Sequence, residues 1–504
     1  MEVAYYNLSG GINQALTKTE LGLDTKKIYW SDSENVEILQ NRGICKQNGN
    51  TCFLALTEEE EITGLHELVA HNERFLLITT ISGKIYVNKN GTTLLTLLDK
   101  TLEGKNPVFV NFLDGIFVSS EADCPFYIKN NLTIVETNAK GIDGLPLHST
   151  ITAVYKGRVW VAADSIIYYS ALGSYTDFST ANDAGYIKDF HTDTADIVAL
   201  KPYKDYLAIY KKNNVYLLTG TSPEDFSITP FADKGALSAK SIVNVENKQY
   251  FLSNGIFALE QVGELNQIQL GSEISQKIKP EFEKFDKSRL NETIALHYED
   301  KSQIWFFFPY YQASGYKTIW INDYVNKCWY KRVVPQNIKT AAIYNDYVIT
   351  ADDAGKIYRE DYGSTFNGEP IQFMWKSPFL AINSAHHRKT IDEFYFLLDE
   401  SYDNDFYFSV YKDYDSEYSD DSERIYSIHY EHLMWNNGTA TQEYMDYWPA
   451  EDDTVPVWAI GRNTLEKAEI SESNYAIQLC VTGTEIQQAC GIIGLQFKEI
   501  YNDD

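Results

Sequence analysis

The stretch "YKGRVWVAADSIIYYSALGSYTDFS", Tyr155 to Ser179, reads as a strand, a turn, a second strand and then a run without obvious chemistry. In an extended chain successive side chains point to opposite faces, so Val159 and Val161 share one side and Trp160 takes the other, with Asp164-Ser165 as the turn. The same phrase returns. Phrases starting at Leu65, Val108, Thr152, Ile197, Lys240, Thr293 and Thr340 each join an apolar strand, a short turn carrying Gly, Asp, Asn or Lys, and a second apolar strand. With Phe75, Ile116, Val159, Leu207, Tyr250, Ile304 and Val348 as equivalent positions, the period is about 45 residues, the length of one four-stranded propeller blade. A single blade cannot cover both of its faces, whereas blades stacked around an axis cover one another and leave only short edges.

The expected fold is therefore all-β: a β-propeller of about seven blades over residues 62–362, an N-terminal arm over 1–61 and a C-terminal β-sandwich-like domain over 363–504. The arm carries two short strands, near Val36 to Leu39 and Cys52 to Leu56, and is expected to help close the ring. The second phrase is the poorest, because Pro125 interrupts "EADCPFYIKNN". Between the fifth and sixth phrases, "GSEISQKIKPEFEKF" (Gly271 to Phe285) spaces Ile274, Ile278, Phe282 and Phe285 like a short surface helix, with Ser272 as its N-cap. Beyond Tyr362 the strands become longer and more acidic, which marks the separate domain.

Composition narrows function. The 37 Tyr and 25 Phe beside 4 Met favour pleated, half-buried surfaces. The 71 acidic against 43 basic residues give a net charge of −28, which disfavours tight binding of a phosphate backbone. The start "MEVAYYNLSGGINQ" lacks the basic and apolar regions of a signal peptide, and no apolar run approaches the roughly 20 residues that cross a bilayer. A soluble chain without membrane insertion is expected. Cys45, Cys52, Cys124, Cys328, Cys480 and Cys490 form no CxxC pair and read as free, packed thiols.

"GGINQ" at Gly10 to Gln14, "SENVEILQNRGICKQNG" at Ser33 to Gly49, "RVWVAADSIIYYSALGSYTDFS" at Arg158 to Ser179 and "KGALSAKSIVNVENKQYFLSNGIFAL" at Lys234 to Leu259 together carry a resemblance. The chain resembles the nozzle, or tail-stabilisation, proteins of short-tailed and crAss-like bacteriophages, from Gly10 to about Asp361 and by pattern more than by identity. The region beyond Tyr362 matches in β character only. The resemblance implies a virion component, assembled in the host cytoplasm, with six copies in a ring. The ring attaches to the tail hub or adaptor, neighbours fibres, and conducts or retains DNA during ejection without binding it tightly. Six copies would carry about 168 net negative charges, and an acidic wall would let DNA slide. The same acidity also serves solubility alone.

Candidate chemistry is sparse. His386-His387-Arg388 and His429-x-x-His432 lack zinc-protease spacing, and a strand would split the latter pair between faces. The run from Asp403 to Glu423 has carboxylates but not the calcium-loop pattern, and reads as a solvated acidic loop. Glu260, Asp300, Asp323 and Asp352 lie near blade strand ends, where a propeller glycosidase would place its acids. No sialidase box, G-x-S-x-G or P-loop occurs. The expectation is no enzyme, with no catalytic, cofactor or metal residues to assign. The alternatives are a glycan- or receptor-binding tail component using "HLMWNNGTATQEYMDYW" (His432 to Trp448), and a polysaccharide-degrading propeller.

Overall fold

Strand follows strand in the computed structural model, which describes every residue except 1, 25, 138, 180–182, 189, 191–192, 263–266, 383–385, 400, 403, 416–425, 431–464 and 503–504. The chain divides into two units. One holds Asn50–Asp323 and Val334–Tyr362, and the other Met1–Gly49, Tyr324–Val333 and Gly363–Asp504. The expected division at 61/62 and 362/363 differs from this in two places. Residues 50–61 belong to the propeller unit, and Tyr324–Val333 leaves it for the other.

The propeller has seven blades. Five are separate four-stranded antiparallel sheets, with first strands Ile62–Ala70, Val108–Phe112, Ile151–Tyr155, Ile197–Tyr203 and Val243–Val245. The sixth begins with Ile294–Tyr298 and shares the 17-residue strand Cys328–Tyr344 with the seventh. All seven positions taken as equivalent in the sequence fall on the second strand of their blade and are buried. The alternation decides how each blade packs. Trp160 and Ala162 face the fourth blade, whereas Val159 and Val161 face the second. Asp164 adopts φ 55°, as the expected turn requires. The phrase broken by Pro125 still yields a full blade, because Phe126–Lys129 starts just after the proline.

The seventh blade takes its outer strand from the arm. Asn50–Ala55 pairs antiparallel with Lys356–Glu360, and Asn50 Nδ2 donates to the buried Glu360 carboxylate at 3.0 Å. Leu54 and Leu56 then join Ile349 and Ile357 of that blade and Ile62, Leu76 and Ile78 of the first in one apolar cluster. The last blade is thus packed against the first.

Two expectations are corrected. Gln276–Glu283 is 3₁₀ helix rather than α, kinked at Ile278, because Pro280 cannot donate the hydrogen bond an α-turn needs. Ser275, not Ser272, precedes it, and its hydroxyl accepts from Ile256 N instead of capping the helix. The acidic run from Asp403 is not a loop at its start. Asn404–Lys412 is a strand whose Phe406, Phe408 and Val410 are buried, a period of two hidden among the carboxylates. The rest of that run, beyond Asp415, lies outside the described residues.

The second unit is a two-sheet sandwich. One sheet runs Val36–Ile38, Ile44–Lys46, Gly491–Asn502, Lys389–Leu398, Leu465–Asn474, with Val3–Tyr5 also on Gly491–Asn502. The other runs Asp32–Glu34, Phe373–Lys376, Ile477–Gly483, Asn404–Lys412, Tyr426–Tyr430. Phe394 and Phe396 of the first sheet meet Phe406 and Phe408 of the second edge-on, with ring centroids 5.0–6.1 Å apart.

The segment Tyr324–Val333 is gripped by the N-terminal residues of the same unit. Gly11 sits at φ +65°, where a Cβ would lie 2.7 Å from Trp329 O, so only glycine lets the two backbones approach. Ile12 N donates to Trp329 O at 2.7 Å. Asn35 donates through Nδ2 to Val333 O and Gln372 O, and its Oδ1 accepts from Val333 N at 2.8 Å. The Arg332 guanidinium, fully buried, donates to Asn48 O at 2.6 Å and Gly49 O at 2.7 Å and lies over the Phe366 ring.

Two outcomes follow for stability. Leu54→Ala should cost about 2–4 kcal/mol in denaturant unfolding, because it opens a cavity between the last and first blades. Arg332→Lys should cost about 2 kcal/mol, because an ammonium cannot match a fork that bonds two carbonyls and covers a ring. The midpoint in urea of each full-length variant against the parent checks both.

Candidate functional site: the axial channel

Sequence from all seven blades converges on the propeller axis. The first strands, with the short 3₁₀ turn Ala239–Ser241 ahead of the fifth, enclose a cavity of about 460 Å³. A second cavity of about 510 Å³ adjoins it and shares Val108, Thr150, Ala239, Lys240 and Ile294 with it. Most of the wall is aliphatic, including Val108, Ile151, Leu200, Ile242, Ile294 and Leu296.

Four titratable residues interrupt that wall: His66, Glu67, Lys201 and Lys240. His66 Nε2 lies 2.8 Å from Asn111 Oδ1, and Asn111 Nδ2 donates to Glu67 O, which fixes the amide oxygen toward the ring. His66 therefore donates from Nε2. Its ring lies against Phe109, centroids 5.5 Å apart. Burial pulls its pKa below the ordinary 6.5, outweighing the Asn111 hydrogen bond and Glu67, while nearby Lys201 pushes the same way as burial. Burial also lowers Lys201. Lys240 reaches solvent inside the channel yet is walled by protein, so desolvation lowers it despite Glu292 and Glu121.

The acids near the axis are already engaged. Glu67 binds Arg74 at 2.6 Å and Asn345 N at 2.9 Å. Glu292 takes a forked bond from Arg289, and Glu61 pairs with Lys339 at 3.0 Å. Neither Lys201 nor Lys240 has a hydrogen-bonded or ion-paired protein partner among the described residues. The chain carries −28 overall, yet its channel lining holds the lysines Lys201 and Lys240 beside the acid Glu67, with Glu292 and Glu121 acting on Lys240.

The acids singled out from the sequence do not meet there. None of Glu260, Asp300, Asp323 and Asp352 lines the cavity. Glu260 pairs with Lys248 at 2.8 Å, and Asp300 is exposed in a turn. Asp352 accepts from Ala354 N, Lys356 N and the Tyr358 hydroxyl, a turn-forming role. His386, His387 and Arg388 are exposed, with Arg388 over the Tyr475 ring. His429 pairs by its backbone with Asp405, while His432 and the stretch to Trp448 lie outside the described residues. Among the described residues no three His, Cys, Asp or Glu side chains are grouped to hold a metal ion. All six cysteines are free thiols, with Cys490 pushed up to about 12 by burial.

Sequence reasoning missed the titratable side chains of the channel. His66, Lys201 and Lys240 lie in the repeat phrases, and the signal was a titratable residue on the opening segment of a blade, where neighbouring blades expose apolar side chains.

No family model matches the chain, and no curated protein matches it. Among solved structures it is similar to YCF48 bound to D1 peptide, at 11% identity over 61% of this chain and 93% of that one, with a TM-score of 0.39. It is also similar to the Neurospora crassa Pan2 WD40 domain (10% identity, 64% and 97% covered, TM-score 0.39) and to BamB from Moraxella catarrhalis (11% identity, 66% and 99% covered, TM-score 0.39). Likenesses this distant carry nothing about function, and the propeller stands on its own strand pairing.

His66 sets a pH response. An unfolded chain takes up a proton near pH 6.5 that the half-buried ring resists, so stability should fall as the pH drops through 6.5 and level off beneath the folded-state value. Urea midpoints at about pH 7.5 and about pH 5.5 should show a smaller drop for His66→Gln than for the parent. Some slope remains in the variant, because burial lowers His297 as well.

Proposed function

We propose that the chain is a non-catalytic structural subunit of a bacteriophage tail, one of six copies in a nozzle ring that attaches to the tail hub and conducts DNA during ejection. The observation that carries this reading is where the signature residues lie. Gly11, Ile12, Asn35, Asn48 and Gly49, which belong to the two N-terminal phrases behind the resemblance, all close on Tyr324–Val333. Those phrases therefore serve one packing constraint, the docking of Tyr324–Val333 against the N-terminal residues, which supports reading them as more than general β character.

Charge supports the same reading. With 71 acids and 43 bases the chain offers DNA few cations to pair with, as a conduit needs. The propeller axis is not that conduit. A cavity of about 460 Å³ walled by side chains is far too small for a duplex roughly 20 Å across, so DNA would pass along the axis of the assembly.

The test is the mass of the purified full-length protein followed by negative-stain imaging. Sixfold rings with an axial hole of about 20 Å or more are expected. A strict monomer under all conditions, absent from phage particles, overturns the reading. Turnover of a bacterial surface polysaccharide by that monomer would favour the enzymatic alternative.

A further inference from the structure

We propose that Asn254 is a site of self-modification, at which Gly255 N attacks the Asn254 side-chain amide and Lys279 promotes the step from the Asn254 carbonyl. Residues 253–255 form the turn between the strands Lys248–Leu252 and Ile256–Val262 of the fifth blade. The segment that follows the blade ties this turn down on both sides. Lys279 Nζ, delivered by the 3₁₀ helix Gln276–Glu283, donates to Asn254 O at 2.6 Å and to Glu273 Oε1 at 2.9 Å. The Glu273 carboxylate also accepts from the Ser275 hydroxyl, which itself accepts from Ile256 N. Between those two anchored residues, the Gly255 N–H has no hydrogen-bond partner among the described residues, and neither has the exposed Asn254 side chain.

The chemistry needs those two groups free. Gly255 N gives up its proton to solvent and bonds to Asn254 Cγ, the Cγ–Nδ2 bond breaks, and ammonia leaves with a proton taken from water. Water then opens the resulting succinimide at either carbonyl, giving aspartate or isoaspartate. The nitrogen that ionises and Asn254 O belong to one peptide group, so the developing negative charge is shared with the oxygen, where the Lys279 ammonium stabilises it. The other Asn-Gly pairs among the described residues each have a reacting group held. Gly49 N donates to Gly363 O at 2.7 Å, Asn90 Oδ1 accepts from Arg74 N at 2.7 Å, and Gly368 N donates to Thr365 Oγ1 at 3.1 Å. Asn437-Gly438 lies outside the described residues. A Cβ on Gly255 would strike the Glu273 carboxylate, so the packing itself demands the residue that leaves the attacking nitrogen least hindered.

The experiment is ageing of the folded full-length protein in mildly alkaline buffer, then digestion and mass spectrometry that separates the asparagine, aspartate and isoaspartate peptides, with an unaged sample as baseline. Product is expected at Asn254 ahead of Asn48, Asn90 and Asn367, at a rate that rises with pH. Lys279→Met should slow it by about fivefold and Lys279→Arg should largely restore it, with the other sites unchanged. In urea the sites should react at similar rates, and Lys279→Met should have no effect there. The comparison of the folded parent with the parent in urea does not depend on any variant folding, and a variant that misfolds declares itself by faster reaction at the other sites. The proposal is overturned if Asn254 yields no product or reacts no faster than the other sites. A preference for Asn254 that persists in urea, or a folded-state rate indifferent to Lys279→Met, overturns it equally.

Discussion

A ring of sheets drawn from one chain must end against its own beginning, and here the strand Asn50–Ala55 meets that requirement. It is the outer strand of the seventh blade although it precedes the first in sequence, and its Leu54 lies in the apolar cluster that the seventh blade shares with the first. Without it, Lys356–Glu360 would present an unpaired edge, and the blade interface beside it would lose its outer layer. The same closure brings the opening segments of all seven blades around a common cavity. The electrostatic character of the channel therefore depends on strand pairing at the ring's periphery.

The second unit rests on a comparable device. Its residues come from three separated stretches, so adjacency along the chain does little to hold them together. Asn35 and Arg332 supply much of that hold through bonds to main-chain atoms. Main-chain groups cannot be mutated away, and burying them requires partners in any case. This makes Asn35 and Arg332 the positions where a change of side chain would be felt along the whole of Tyr324–Val333.

Much of the fold was legible because a blade is a local pattern repeated. Alternation in "RVWVAADSIIYYS" gave the two faces of the third blade, and the spacing of seven such phrases gave their number. What could not be read locally was partnership. Residues 50–61 look like the rest of the arm, yet pair some three hundred residues away, and Tyr324–Val333 looks like part of a blade hairpin. Phe406, Phe408 and Val410 were masked by carboxylates that share their strand but not their face. The channel cations were missed for a different reason. Lys201 in "IVALKPYKD" resembles any solvated lysine until six other blades close around it.

The order of those partners in the chain has a consequence for synthesis. Asn50 and Glu360, which meet in the finished seventh blade, are 310 residues apart. A ribosome adding about 5–20 residues each second leaves the N-terminal strand without its mate for roughly 15–60 s, while six complete blades emerge behind it. Throughout that interval an apolar strand with free edges is exposed in the crowded cell, available to mispair with nascent neighbours. The closure of the ring is thus the last step in securing the propeller, and it waits on the pairing of this one strand.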